Sequence, residues 1–131
     1  MSKGHRSQIK KDRNAQKDPR PHATHKWARI SDTKARIVLE QIKGKDLAQA
    51  FAILNYSPRY AAELITKVLK SAAANAENNL NMDVAKLYVQ EVFADQGTIM
   101  KRVKPRAQGR AYRIEKKTSH ISIILNERGG N

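Results

Sequence analysis

Apolar residues recur along this 131-residue chain in two rhythms, and the place where one replaces the other divides it. From Asp32 to Ala76 they fall three and four apart; from Asp83 onward they alternate. In the first region Ser31 can cap a helix beginning at Asp32, whose carboxylate suits the positive end of the helix dipole. Ala35, Val38, Leu39 and Ile42 share one face of it, and Gly44 is placed to end it. Asp46 can cap a second helix with Leu47, Ala50, Phe51 and Leu54 inward. Ser57 and Pro58 supply a cap and a first-turn residue for a third. Its stripe of Ala61, Leu64, Ile65, Val68, Leu69, Ala72 and Ala76 runs until Asn78, Asn79 and Asn81 stop it. At 1.5 Å per residue, about 20 residues span roughly 30 Å, enough to lie across a small sheet.

In the alternating region Leu87, Val89 and Phe93 are expected on one face of a strand, and Ile121, Ile123 and Leu125 on one face of another. The stretch between them, Gly97 to Lys117, has too few apolar residues for a core, and Pro105 and Gly109 break any helix across it. The two strands are therefore predicted to pair antiparallel and to run out into a protruding hairpin, about residues 92–117. The run His22 to Ser31 has the β-prone character of a short third strand. The fold class expected is α+β: three helices packed on a small antiparallel three-stranded sheet, with a long β-hairpin arm. Residues 22–131 form one globular domain that includes the arm. Residues 1–21, with the isolated Ile9 and with Pro19 and Pro21, read as a basic tail, disordered in the free protein. That tail is either a strand-like arm that orders on RNA or a solubilising extension.

Charge sharpens this division. The net charge is +14, yet residues 31–97 balance eight Lys and Arg with eight acids. Residues 1–30 hold nine cations against two acids, and residues 98–131 again nine against two. A neutral body thus carries two cationic extensions, which is the footprint of a polyanion binder. The densest part holds Lys101, Arg102, Lys104, Arg106, Arg110, Arg113, Lys116 and Lys117 against Glu115 alone. Such a ribbon repels itself unless phosphates neutralise it, and two bare strands are marginal in water. Tyr112 either lies on a nucleic-acid base or packs across the ribbon; Trp27 is expected in the core or covering an edge.

Catalysis finds little support. No cysteine is present, which removes disulfides and thiolate metal sites and suits a reducing compartment. His5, His22, His25 and His120 lack metal-ligand spacing, no Gly-rich phosphate loop follows a strand, and Glu40, Glu63 and Glu77 occupy helix-surface positions. No catalytic residue, metal or cofactor is therefore expected. The N-terminus has no apolar run of the secretory kind and no window approaches a membrane span, so an intracellular protein is expected.

Specific blocks of residues carry a resemblance. Ala28–Ser31 with Lys34, Ala35 and Arg36, then Ser57 and Pro58, the helix block Lys70 to Ala76, and above all Met100, Lys101, Arg102, Pro105, Arg106, Ala107, Gly109, Arg110, Ala111, Arg113, Ile114, Lys116 and Thr118 to Ile121 resemble the large-subunit ribosomal protein L-twenty-two family. The likeness spans about residues 24–127. It implies a globular part on the large ribosomal subunit near the tunnel exit and a hairpin threading ribosomal RNA to line the nascent-peptide tunnel. On this chain it implies RNA contacts at Lys101, Arg102, Lys104, Arg106, Arg110, Arg113, Lys116, Lys117, Arg29, Lys34 and Arg36. It implies a tunnel-lining tip at Met100, Lys101, Arg102, Val103, Lys104, Pro105 and Arg106. Implied partners are large-subunit ribosomal RNA, neighbouring ribosomal proteins and the nascent peptide, with no membrane and no homo-oligomer, in the cytoplasm or an organelle interior. Thr98 and Ile99 depart from a proline common in the family after Gly97, and the tail is longer than its usual start. Two other classes are weighed against this reading: a DNA-bending β-ribbon protein, and an RNA-modifying enzyme with His120 as base.

Overall fold

The computed structural model describes residues 6–129; His5, the first residues of the tail and the last two of the domain lie outside them. The elements run α1 (Arg6–Ala15), β1 (His22–Ala28), α2 (Asp32–Ile42), α3 (Leu47–Tyr56), α4 (Tyr60–Leu80), β2 (Leu87–Pro105) and β3 (Ala111–Glu127). The strands form one antiparallel sheet in the order β1-β3-β2, so β3 is central and the hairpin partners occupy the middle and one edge. α2, α3 and α4 bury their apolar stripes on one face of it.

Ala35, Val38, Leu39 and Ile42 of α2 are buried, as their spacing predicts, and Gly44 turns the chain with φ +78° while its N–H donates to the Val89 carbonyl at 2.8 Å. On α4 the whole predicted stripe is buried together with Ala62, and Asn81 ends the helix in the left-handed conformation that asparagine tolerates. These residues meet Ile121, Ile123 and Leu125, all without exposed surface. Phe51 is only half-buried against this core.

Five expectations need correction. α4 starts at Tyr60, with Arg59 as its cap position, because Ser57 is spent ending α3: its N–H donates to the Ile53 and Leu54 carbonyls. Ser31 and Asp46 occupy the predicted cap positions with extended backbone but cap nothing through their side chains; the Asp46 carboxylate pairs instead with Arg128 Nε at 2.6 Å. β1 stops at Ala28, short of Ser31. Phe93 is not on the inner face: β2 carries a bulge at Gln90, where Val89 pairs with Leu125 but Glu91 already pairs with Ile124. One extra residue reverses which side chains point inward, so Ala94 is buried and Phe93 is exposed. Finally, the helices number four among the described residues, not three: Arg6–Ala15 of the tail forms α1, which buries none of its residues.

Further along, the tail is tied down. Arg20 pairs with Asp18 and reaches Glu91 at 3.2 Å and Gln90 Oε1 at 3.0 Å, at the bulge itself. The Asp18 carboxyl is held down to about 2 by the Arg20 side chain, then by the Arg20 backbone N–H.

Candidate nucleic-acid interface

Beyond Ala94 the hairpin passes the starts of α2 and α4, where Lys34 and Tyr60 still face it, and then runs free. Every residue from Lys101 to Arg113 is exposed, although the two strands remain paired from Ile99 with Lys117 to Pro105 with Ala111. About ten residues per leg at 3.3 Å each give a projection of roughly 30 Å. Its far end is the turn Arg106–Arg110: the Arg106 N–H donates to the Arg110 carbonyl at 2.8 Å, and Gln108 and Gly109 take left-handed backbone. The turn therefore lies farther along than the expected tip, because Pro105 ends the strand and Gly109 permits the reversal. Met100, placed at that tip by resemblance, pairs with Lys116 near the body, and its sulfur lies 3.6 Å from an Arg29 guanidinium nitrogen.

A second irregularity marks the root of the arm. Between the pairs Gln96 with Ser119 and Ile99 with Lys117, β2 has one residue more than β3. The buried Thr118 hydroxyl closes that gap by donating to the Thr98 carbonyl at 2.6 Å.

Register distributes the cations over both faces. Arg102, Lys104 and Lys116 lie on one, with Arg106 stacked over Tyr112 at 5.5 Å; Lys101, Arg113 and Lys117 lie on the other. Tyr112 thus packs within the ribbon yet stays half exposed. Among the described residues, ion pairs form at Arg20, Arg36, Lys67 and Arg128, and none draws on an arm cation. A charged ribbon with both faces uncompensated is suited to being surrounded by phosphates rather than laid on them.

Near the arm's root the sequence-predicted residues converge. Arg29, Lys34, Arg102, Lys116 and Lys117 line an open groove of about 910 Å³, with Glu115 its only acid. Arg59 and Tyr60 complete it at the start of α4, and sequence reasoning missed both. Their signal is the basic and aromatic pair directly after Pro58. Arg36 stands apart: it pairs with Asp32 at 3.0 Å and donates to the Ala94 carbonyl at 2.6 Å, so it fastens α2 to β2.

His120 sits at the root as an acceptor. Its Nδ1 takes the Trp27 backbone N–H at 3.1 Å, and the two rings meet edge to face at 5.4 Å. Trp27, on the edge strand β1, is 59% exposed and so lies outside the core. Among the described residues no group of His, Asp and Glu comes together as a metal site, and no helix is long and apolar enough to cross a membrane.

Comparison with known proteins gives a consistent set. The family profile of ribosomal protein L22p/L17e matches residues 23–126. The large ribosomal subunit protein uL22 of Lachnospira eligens is 62% identical over 128 residues, covering 98% of this chain and 100% of the relative. That of Lachnoclostridium phytofermentans is 61% identical over the same shares. The uL22 protein of Clostridium novyi is 56% identical over 106 residues, 81% of this chain and 96% of its own length.

Proposed function

This chain belongs to the ribosomal protein L22p/L17e family, non-enzymatic structural constituents of the large ribosomal subunit, and on that premise we propose that it binds large-subunit ribosomal RNA and stabilises its fold during assembly. The arm is the principal contact. Lys101, Arg102, Lys104, Arg106, Arg110, Arg113, Lys116 and Lys117 neutralise phosphates on both faces, and the groove at the root adds Arg29, Lys34 and Arg59. Residues 22–131 act as one domain, and the part of the tail before Asp18, including α1, takes a fixed place only on RNA. The arm's outer part, from Lys101 through the Arg106–Arg110 turn, lines the nascent-peptide exit tunnel, where RNA, neighbouring large-subunit proteins and the nascent peptide surround it. The protein acts there as a single copy, in the cytoplasm and without a membrane.

The observation that carries this reading is the absence, among the described residues, of any acid pairing with an arm cation. Replacing Arg102, Arg106 and Arg110 together by Glu tests it. The variant's circular dichroism should show a folded body, while the tagged protein should no longer sediment with large subunits after a high-salt wash. Undiminished incorporation would refute the assignment.

A further inference from the structure

The helices cover one face of the sheet and leave the other open. Register places His22, Thr24, His120, Ser122, Phe93 and Asp95 on that open face, and the Thr24 and Ser122 hydroxyls meet there at 3.1 Å. Trp27 stands at its edge. The backbone at Trp27 has φ 55°, a left-handed conformation that a bulky aromatic residue avoids, and it lies within the bulge that separates the pairs His25 with Ile121 and Ala28 with Ser119. Strain of this kind persists only where the surroundings fix it, and His120 does so twice: Nδ1 accepts the Trp27 N–H, and the imidazole abuts the indole. The result is a large aromatic ring held rigid and 59% exposed, with Phe93, 45% exposed, opposite Ser122 on the same face.

We propose that Trp27, held by His120, is a stacking site for an unpaired base of ribosomal RNA, with Phe93 offering a second ring along the same face. The inference rests on the RNA-binding reading above and adds a contact different in kind. The arm has cations and almost no acid, which suits phosphates. The open face has aromatic rings and Asp95, registered opposite His120, which repels phosphate but accepts from a base N–H. Lys26 and Arg29 flank Trp27 in sequence, and residues 1–30 hold nine cations against two acids, so the approach to the ring favours a polyanion over an apolar protein surface.

Trp27 is the only tryptophan in the chain, so its fluorescence reports this site alone. The experiment titrates the full-length protein with an in vitro transcript of bacterial large-subunit ribosomal RNA, following Trp27 emission and, separately, binding by filter retention. Stacking predicts quenching that saturates with binding. Trp27→Ala should weaken affinity about 5- to 150-fold, the range for losing one base–aromatic stack, while Trp27→Phe keeps most of it. The salt dependence should be unchanged in both, since no phosphate contact is lost. If the transcript binds while emission stays constant and Trp27→Ala binds as tightly as the parent, the stacking site is wrong and the RNA-binding reading survives. If emission responds only once neighbouring ribosomal proteins are added, the ring has a protein partner and the proposal is overturned. Failure of the parent protein to bind the transcript at all would remove both readings.

Discussion

Thr118 closes directly over Gly97: a Cβ added at Gly97 would stand 2.6 Å from the Thr118 hydroxyl oxygen and 3.3 Å from the Thr118 carbonyl carbon and oxygen. That hydroxyl cannot swing aside freely, because it is buried and committed to the Thr98 carbonyl. The contact lies where the packed sheet becomes the free arm, so it sets the direction in which the arm leaves the body.

Gly97→Ala should therefore cost about 1–3 kcal/mol in urea unfolding, as overpacking of a tight contact does. Thr118→Ala alone should cost about 0.5–1.5 kcal/mol for the lost hydrogen bond. Combined, the two should cost less than their sum, since removing the hydroxyl makes room for the new methyl. Strict additivity would mean that the two residues do not press on each other.

The bulge at Gln90 makes a second prediction. Phe93→Ser should change stability by no more than about 0.5 kcal/mol, because the ring is exposed. Ile123→Ala, one position along the central strand from the residue opposite Phe93, should cost about 2–5 kcal/mol by opening a cavity in the core. Thermal or urea unfolding of the two variants side by side checks the parity of β2.

Arg128 fastens the end of β3 to the loop between α2 and α3. It pairs with Asp46 at 2.6 Å, donates to the Gly44 carbonyl at 2.7 Å and lies over the Tyr88 ring at 4.8 Å. Both charged side chains are about half exposed, so Arg128→Ala should cost only about 1 kcal/mol. Arg128→Lys, which keeps the charge but loses the planar fork, should recover less than half of it. Amide exchange at Arg128, whose N–H donates to the Lys86 carbonyl at 2.8 Å, and at Gly44 is the local readout.

At the other end, Asp18 reports whether its pairing with Arg20 forms in the free protein. Its carboxyl pKa is lowered from 3.8 to about 2 by Arg20, so the contact contributes fully above 3.8 and is lost as pH falls through about 2. A titration of the Asp18 carboxyl by NMR should show that low midpoint, and Arg20→Gln should return it to the ordinary range. An ordinary midpoint in the parent would mean that Arg20 is not paired with Asp18.

Much of this was legible in the residues, and what was not has identifiable physical causes. The stripe on α4 is long and strictly spaced, so burial follows from periodicity alone. Its start misled because Ser57 and Pro58 fit a helix beginning as well as the end of the preceding one. Alternation alone puts Phe93 inward, because a bulge at Gln90 is announced by no residue type, yet it inverts β2 from Glu91 to the second bulge after Gln96. The size of Trp27 favours the core or an edge, and the left-handed backbone at the bulge in β1, where the ring stands exposed, is announced by no residue type. α1 has no apolar stripe, so its helicity left no periodic trace. The cationic arm was the most readable feature, since like charge at that density has few stable explanations within a single chain.

The central claim is that the arm is completed by phosphates, and the salt dependence of affinity for large-subunit ribosomal RNA tests it most directly. With about half of the eight arm cations on phosphates, the association constant should fall by roughly three powers of ten for each tenfold rise in monovalent salt. The Arg102, Arg106 and Arg110 to Glu variant should lose most of that slope. Binding that is tight but nearly independent of salt, or a variant with the parent's slope, would contradict the account.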